Sequence, residues 1–199
     1  MNLILSALIG YLFGSIPYSY ILPKLIKKID IREHGSKNVG STNVLRICGY
    51  KIALVALILD LTKGLIAVFI VSYFFSYDLT LVCAIFAILG HCYPFLLNFK
   101  GGKGVATAAG MILILNPKLF LMLAIIMFLL LYLFKTVSIA SILTAAIFPI
   151  ISIVLKLENN FILFAFFISF FIIYKHRQNI QRIIDGTENK INTKKNAVN

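Results

Sequence analysis

The stretch Leu119-Phe-Leu-Met-Leu-Ala-Ile-Ile-Met-Phe-Leu-Leu-Leu-Tyr-Leu-Phe134 contains sixteen consecutive residues without a charged side chain. A helix needs roughly 20 mostly apolar residues to cross the hydrocarbon core of a bilayer. Because no water is available there, the backbone groups of a lipid-exposed segment must pair with one another, as they do in a helix. This stretch therefore predicts a membrane helix.

Six further apolar segments lie on either side of this one. They are Leu3–Ile16, Ile52–Tyr73, Leu79–Leu97, Val105–Leu115, Val137–Leu155 and Phe161–Tyr174. The chain is 60% hydrophobic, with a mean hydropathy of +0.96, whereas soluble domains are about 45–50% apolar. We predict an all-α, polytopic bundle of seven transmembrane helices, formed as one domain by residues 1–186. The polar residues 187–199 are predicted to be a disordered tail.

The basic residues predict the orientation of this bundle. Seven crossings place 16 of the 19 lysines and arginines on one side. The stretches on that side are Pro17–Lys51, Asn98–Gly104, Lys135–Thr136 and Lys175–Asn199. The positive-inside rule then puts the N-terminus outside and the tail in the cytoplasm. Val105–Leu115 is short for a crossing and ends at a helix boundary before Pro117. A fused crossing over 105–134 would put the basic tail outside, so seven crossings are preferred.

A net charge of +12 would indicate nucleic acid in a soluble protein. In such an apolar chain it instead indicates topology and attraction to anionic lipid and substrate. The cysteines Cys48, Cys83 and Cys92 have no paired spacing, and carboxylates are scarce on the basic side. We therefore predict no metal site and no nucleic-acid partner.

Two loops on the basic side are rich in glycine. The first reads His34-Gly-Ser-Lys-Asn-Val-Gly-Ser-Thr-Asn-Val-Leu-Arg46, and the second reads Phe99-Lys-Gly-Gly-Lys-Gly-Val105. Glycine lets N–H groups converge on an anion, arginine can grip a phosphate with two hydrogen bonds, and a helix N-terminus favours negative charge. The second loop lacks P-loop spacing. Both could instead be simple turns between helices.

Polar pairs also lie at the ends of the later helices. Ser138 and Ser141 are three residues apart, as are His176 and Asn179, so each pair can face one ligand. The alternatives are serines bonded to their own helix and a basic helix end held at lipid headgroups.

A third polar pair lies inside an apolar segment, where charges are costly. Asp60 and Lys63 are three residues apart there, and we expect them to pair with each other or with basic residues of the loops. His91 and Pro94 predict a helix break that leads into the second glycine loop.

Two other classes of membrane protein compete with this interpretation. Acyltransferases that use acyl-CoA carry an H-x-x-x-x-D pair, but His34, His91 and His176 are followed at that distance by Val39, Leu96 and Gln181. A transporter for an organic anion should show related halves with interrupted helices. Because a broken region occurs only around residues 98–117, the transporter is kept as the alternative.

Taken together, the motifs resemble those of the PlsY family, the bacterial acyl-phosphate:glycerol-3-phosphate acyltransferases. The matching stretches are Gly14-Ser-Ile-Pro17, Gly35–Asn43 with Arg46, Leu59-Asp-Leu-Thr-Lys-Gly64, Gly90-His-Cys-Tyr-Pro94, Phe99–Thr107, Ser138-Ile-Ala-Ser141 and Tyr174-Lys-His-Arg-Gln-Asn179. The resemblance implies transfer of a fatty acyl group from acyl-phosphate to the 1-hydroxyl of glycerol-3-phosphate. The products would be lysophosphatidic acid and phosphate, in the first step of bacterial phospholipid synthesis.

The resemblance also implies which residues form the site. The catalytic set would be Ser36, Arg46, Lys103, Ser141, His176 and Asn179. The substrate-binding set would be Asn38, Gly40, Thr42, Asn43, Gly101, Gly102, Gly104 and Ser138. No cofactor is implied. The partners would be the two substrates, the bilayer and an enzyme that produces acyl-phosphate, with the site on the cytoplasmic face of the bacterial cytoplasmic membrane.

Overall fold

The structure is a computed structural model that describes residues 1–190. Within these residues, all the regular secondary structure is helical. The helices are α1 (Asn2–Gly14), α2 (Tyr18–Lys27), α3 (Ser41–Cys48), α4 (Tyr50–Phe74), α5 (Tyr77–Cys92), α6 (Val105–Leu115), α7 (Pro117–Phe134), α8 (Val137–Val154), α9 (Asn159–Lys175) and α10 (Arg177–Ile184), with a 3-10 turn at Phe95–Leu97 after α5. The predicted all-α class is confirmed, and each of the seven apolar segments coincides with a helix.

Five helical stretches among residues 1–190 are long and apolar enough to cross a membrane. They are Asn2–Lys27, α4, Tyr77–Leu97, α7 and α8. Helices α9 and α10 count as a sixth if the pair, bent by 57°, is one span. Helix α6 has 11 residues, about 16 Å at 1.5 Å per residue, against a hydrocarbon core of about 30 Å. The chain is therefore a multi-pass membrane protein, while seven crossings and the orientation of the termini stay predictions.

Two regions differ from the predicted organisation. The predicted loop between the first two apolar segments contains α2 and α3, which are amphipathic and so escape a search for apolar runs. The sequence places His176 and Asn179 together at the end of the last helix, but that helix breaks at His176. His176 and Asn179 therefore lie at the start of a new helix instead of on one continuous face.

The described chain forms two compact units, residues 1–115 and residues 116 onward. The predicted single domain over residues 1–186 stays a prediction. In the first unit α1 packs on α5 and α4, and α4 packs on α3 and α6. Gly10 and Gly14 lie against the carbonyl oxygens of Cys83 and Ala87, where a Cβ atom would overlap them. Small residues thus let the backbones of α1 and α5 approach closely, and the Gly10-x-x-x-Gly14 motif serves packing within the chain.

In the second unit α8 packs against both α7 and α9. Helix α7 begins at the predicted boundary, because the Asn116 side chain accepts the Leu119 N–H at 2.9 Å and Pro117 occupies the first turn. The Ser169 hydroxyl donates to the Ala145 carbonyl oxygen at 2.6 Å and joins α9 to α8. The polar ends of α8, α9 and α10 are therefore held on a packed scaffold.

Candidate functional site

The first glycine-rich loop is built around the side chain of Asn43, which is 1% exposed. Its Oδ1 accepts the Ser36 N–H at 2.9 Å. Its Nδ2 donates to the carbonyl oxygens of Ile31, His34 and Asn38 at 3.1, 3.0 and 3.2 Å. The carboxamide is thus committed to the loop backbone. Asn43, predicted to bind substrate, has the geometry of a residue that shapes the loop.

The other predicted site residues of the first glycine-rich loop lie around Asn43. Gly40 is the N-cap of α3, and Arg46 lies in the last turn of that helix, half-buried. Ser36, Asn38 and Thr42 are half-buried as well. Partial burial is compatible with contact to a ligand from solvent, and a guanidinium here suits a phosphate.

A neighbouring ion pair is satisfied within the loop. Arg32 donates to both oxygens of Asp30, at 3.0 and 2.7 Å. The hydrogen bond from Arg32 lowers the pKa of the Asp30 carboxyl to about 2. The charge of Arg32 is therefore neutralised by Asp30 within the loop.

The second glycine-rich loop folds back on the end of α5. The Gly101 N–H donates to the Cys92 carbonyl oxygen and the Gly102 N–H to that of His91, both at 3.1 Å. The prediction that these two N–H groups are open to an anion is wrong, because they close the turn. Helix α6 begins at Val105, so its unsatisfied first-turn N–H groups lie next to Lys103 in the chain.

The two glycine-rich loops meet inside the first unit. Gly102 is buried, and a Cβ atom there would overlap the Val39 carbonyl oxygen and Nε2 of the His91 ring. Gly104 has a φ of +86°, a conformation that favours glycine. The structure therefore brings the predicted phosphate-binding stretches together at Gly102, with half-buried Lys103 following directly.

The charged pair of α4 is buried beside these loops. Lys63 Nζ lies 2.9 Å from Asp60 Oδ1, and both side chains are at most 3% exposed. The predicted pairing is confirmed. Two further contacts of Asp60 had no signal in the sequence. The Ser19 hydroxyl donates to Asp60 Oδ2 at 2.6 Å, and the Thr107 hydroxyl lies 3.0 Å from the Asp60 carbonyl oxygen.

In the second unit the polar residues of α8 and α10 converge on a carboxylate. Ser138 and Asn179 donate to Glu188 Oε1 at 2.9 and 2.8 Å, and Arg182 donates to Oε2 at 2.7 Å. Ser141 is buried one turn beyond Ser138. Glu188 belongs to the stretch predicted to be a disordered tail, residues 187–199, and that disorder stays a prediction. Residues 191–199 of the tail lie outside the described residues.

The pKa of Glu188 reflects these contacts. Burial favours the neutral acid and acts to raise the pKa, but hydrogen bonds from Arg182, Asn179 and Ser138 outweigh it, so the pKa lies below its ordinary value. The carboxylate is ionised at neutral pH and keeps Asn179 and Ser138 oriented. Glu188 and Arg182 are residues of this site that sequence reasoning missed.

His176 lies at the bend between α9 and α10 and is 3% exposed. Its Nδ1 is 2.8 Å from the Ile172 carbonyl oxygen, four residues earlier. Because a carbonyl oxygen only accepts, Nδ1 carries the hydrogen, and Nε2 of the neutral ring is an acceptor. The ring can take a proton at Nε2 or, once protonated, donate one to a phosphate oxygen.

A family model described as "Glycerol-3-phosphate acyltransferase" matches residues 4–186. The chain belongs to this glycerol-3-phosphate acyltransferase family. Two curated relatives carry the same name. The protein of Syntrophomonas wolfei is 41% identical over 92% of this chain and 94% of its own length. The protein of Staphylococcus haemolyticus is 43% identical over 96% of this chain and 98% of its own length.

Solved structures give the same result for this member of the family. A crystal structure of PlsY (YgiH), an integral membrane glycerol 3-phosphate acyltransferase, in its glycerol 3-phosphate form superposes with a TM-score of 0.92. It is 34% identical, and the match covers 97% of both chains. The lysophosphatidic acid form superposes with a TM-score of 0.86. The predicted PlsY family is confirmed, and the findings favour an enzyme over the transporter alternative.

Proposed function

We propose that this acyltransferase moves a fatty acyl group from acyl-phosphate to the 1-hydroxyl of glycerol-3-phosphate. The hydroxyl oxygen bonds to the acyl carbon, the bond from that carbon to the phosphate oxygen breaks, and lysophosphatidic acid and phosphate leave. The observation that carries the proposal is the full-length likeness to PlsY, whose two crystal forms are named for glycerol 3-phosphate and lysophosphatidic acid.

In the first unit, Arg46 and Lys103 would neutralise phosphate oxygens, and Ser36 would orient a phosphate. One structural observation supports this role. Both cations lie in or next to the glycine-rich loops, which meet at Gly102. Positive charge beside a substrate phosphate favours its binding. Asn38, Gly40, Thr42 and Gly104 would line the same binding surface, while Asn43, Gly101 and Gly102 shape it.

In the second unit, His176 would handle the proton. A ring with its hydrogen on Nδ1, fixed by the Ile172 carbonyl oxygen, presents Nε2 as an acceptor for the substrate hydroxyl. Asn179 and Ser141 would orient substrate oxygens. Ser138 and Asn179 are held by Glu188, so their contribution is a fixed geometry.

The site would face the cytoplasm of a bacterial cell, where an enzyme that produces acyl-phosphate would supply the donor. The support for this side is the excess of lysine and arginine in the loops that carry the motifs. No step in the scheme requires a cofactor or metal. Acyl-phosphate is already activated by its phosphate leaving group, so the reaction needs no covalent acyl-enzyme.

The experiment supplies the purified protein with glycerol-3-phosphate and palmitoyl-phosphate and follows phosphate release and lysophosphatidic acid together. Palmitoyl-CoA replaces the donor in a parallel reaction. Equal amounts of both products from palmitoyl-phosphate only, lost in Lys103→Ala and Arg46→Ala, are expected. Lys100→Ala is the matched control, because Lys100 is exposed on the same loop. Turnover with palmitoyl-CoA alone would overturn the proposed donor.

A further inference from the structure

The buried polar groups around Asp60 form a continuous chain that ends at the second glycine-rich loop. Lys63 Nζ donates to the Ile16 carbonyl oxygen at 2.7 Å while it pairs with Asp60. The Ser19 hydroxyl holds the other carboxylate oxygen. Buried ion pairs are costly to form and do not by themselves indicate stability. A buried charged pair inside a membrane-spanning helix points to a functional role.

Thr107 connects this pair to His91 by hydrogen bonds. Its hydroxyl oxygen lies 3.0 Å from the Asp60 carbonyl oxygen and 3.1 Å from His91 Nδ1. Because the carbonyl oxygen only accepts, the Thr107 hydroxyl donates to it and accepts from Nδ1–H. The Asp60 carboxylate oxygen Oδ1, 3.9 Å from Nδ1, faces the same edge of the ring. The tautomer and the orientation of the imidazole are thereby set.

The far edge of the ring supports the loop. A Cβ atom on Gly102 would overlap Nε2 of His91, so this ring edge packs against the loop, and the His91 carbonyl oxygen accepts the Gly102 N–H at 3.1 Å. The loop is thus held by both the backbone and the side chain of one residue. Thr107 lies in the first turn of α6, so the segment between Gly102 and Thr107, which contains Lys103, is fixed at both ends.

We propose that His91, oriented by Thr107 and Asp60, is a positioning residue that sets the place of Lys103 for a phosphate group of one substrate. The proposal rests on the proposed role of Lys103 in binding phosphate. That phosphate belongs either to glycerol-3-phosphate or to the acyl donor. Since the network acts on binding geometry, its loss raises the KM for the substrate whose phosphate Lys103 holds and leaves kcat nearly unchanged.

The test measures kcat and the KM of each substrate in Thr107→Val, which keeps the shape of the side chain and removes its hydroxyl. We expect a KM rise of about tenfold for one substrate and a kcat change below about twofold. Thr107→Ser restores the hydroxyl and brings KM back toward that of the unmodified protein. Thr80→Val is the matched control, because Thr80 is equally buried in the same unit but donates to the Ser76 carbonyl oxygen.

The folding of Thr107→Val is checked by circular dichroism and gel filtration. A second variant tests the proposal independently if Thr107→Val does not fold. His91→Asn keeps a polar group near the position of Nδ1 and removes the ring edge against Gly102, and the same KM rise is expected. Unchanged KM values in a folded variant, a loss in kcat alone, or an equal KM rise in Thr80→Val would overturn the proposal. If the unmodified protein uses an acyl donor other than acyl-phosphate, the variants are compared with that donor. A wrong donor assignment is then distinguishable from a wrong role for His91.

Discussion

Single side chains decide the shape of the loops that carry the motifs. Asn43 holds one backbone N–H and three carbonyl oxygens, and Glu188 holds three donors in the second unit. Neither looks like a structural centre in the sequence, because no sequence motif marks their partners, which are backbone atoms for Asn43 and side chains of two helices for Glu188. Because each of these two side chains holds several groups in place, replacing it by one of the same shape should change the stability of the protein measurably.

Replacing Asn43 by Asp removes the Nδ2 donor and places a carboxylate against three carbonyl oxygens. Each buried group left unpaired costs about 1–3 kcal/mol, so we expect a clear drop in the unfolding temperature in detergent and loss of acyltransfer. Asn38→Asp, on the same loop and half-buried, should leave the unfolding temperature unchanged. Equal unfolding temperatures for both variants would contradict the assigned role of Asn43.

Replacing Glu188 by Gln should destabilise the protein in a pH-dependent way. Because the pKa of Glu188 is lowered in the folded protein, its carboxylate contributes stability that is complete above the ordinary value of 4.5 and is lost as pH falls through the lowered pKa. The difference in unfolding temperature between the unmodified protein and Glu188→Gln should therefore be large at pH 7 and shrink below pH 4.5. Glu158→Gln, at an exposed position, should show no such trend, and a constant difference would contradict the ion pair.

At the scale of elements, small residues set the contacts between helices of the first unit. Gly14 faces the Ala87 carbonyl oxygen. Gly64 faces Thr107 in the same way, and Gly110 faces the Leu61 carbonyl oxygen. Close approach of backbones takes the place of a hydrophobic driving force, which is weak between helices in lipid. The consequence is a low tolerance for added volume at these contacts.

Gly14→Val inserts a branched side chain between α1 and α5. Overpacking typically costs about 1–3 kcal/mol, so the unfolding temperature should fall and Ser6, which donates to the Leu79 carbonyl oxygen at 2.7 Å, should lose its partner. Leu12→Val, at an exposed position of α1, is the control and should have little effect. A tolerated Gly14→Val would mean that α1 does not pack on α5 as described.

At the scale of the whole molecule, the orientation in the membrane is open to a direct test. With Cys48 replaced by Ala and the buried Cys83 and Cys92 retained, single cysteines are introduced at Lys100, Lys156 or Lys190. All three positions are exposed. A membrane-impermeant maleimide applied to intact cells should label position 156 only, and labelling of 100 and 190 should require opened cells. Outside labelling of 190 would exclude the predicted orientation, in which the tail lies in the cytoplasm.

Much of the fold could be predicted from the sequence because long apolar runs have few alternatives in lipid. All seven segments are helices, and the boundary at Asn116 and Pro117 is where the dipeptide places it. The amphipathic helices α2 and α3 and the break at His176 could not be predicted in this way. Their positions depend on burial against partners, such as Val44 packed in the cluster of Ile31, Val39, Ala53, Ala56 and Leu97.

By itself the sequence determined that this chain is an all-helical membrane protein whose motifs match the glycerol-3-phosphate acyltransferases. Residue types and their order carry that information directly. Only the tertiary structure decided what each polar residue does. Glycine N–H groups expected to bind an anion close a turn, Asn43 supports a loop, and Glu188 is anchored. The physical reason is that a hydrogen-bonding group has a choice of partners, and only the packed chain determines which of them lies within reach.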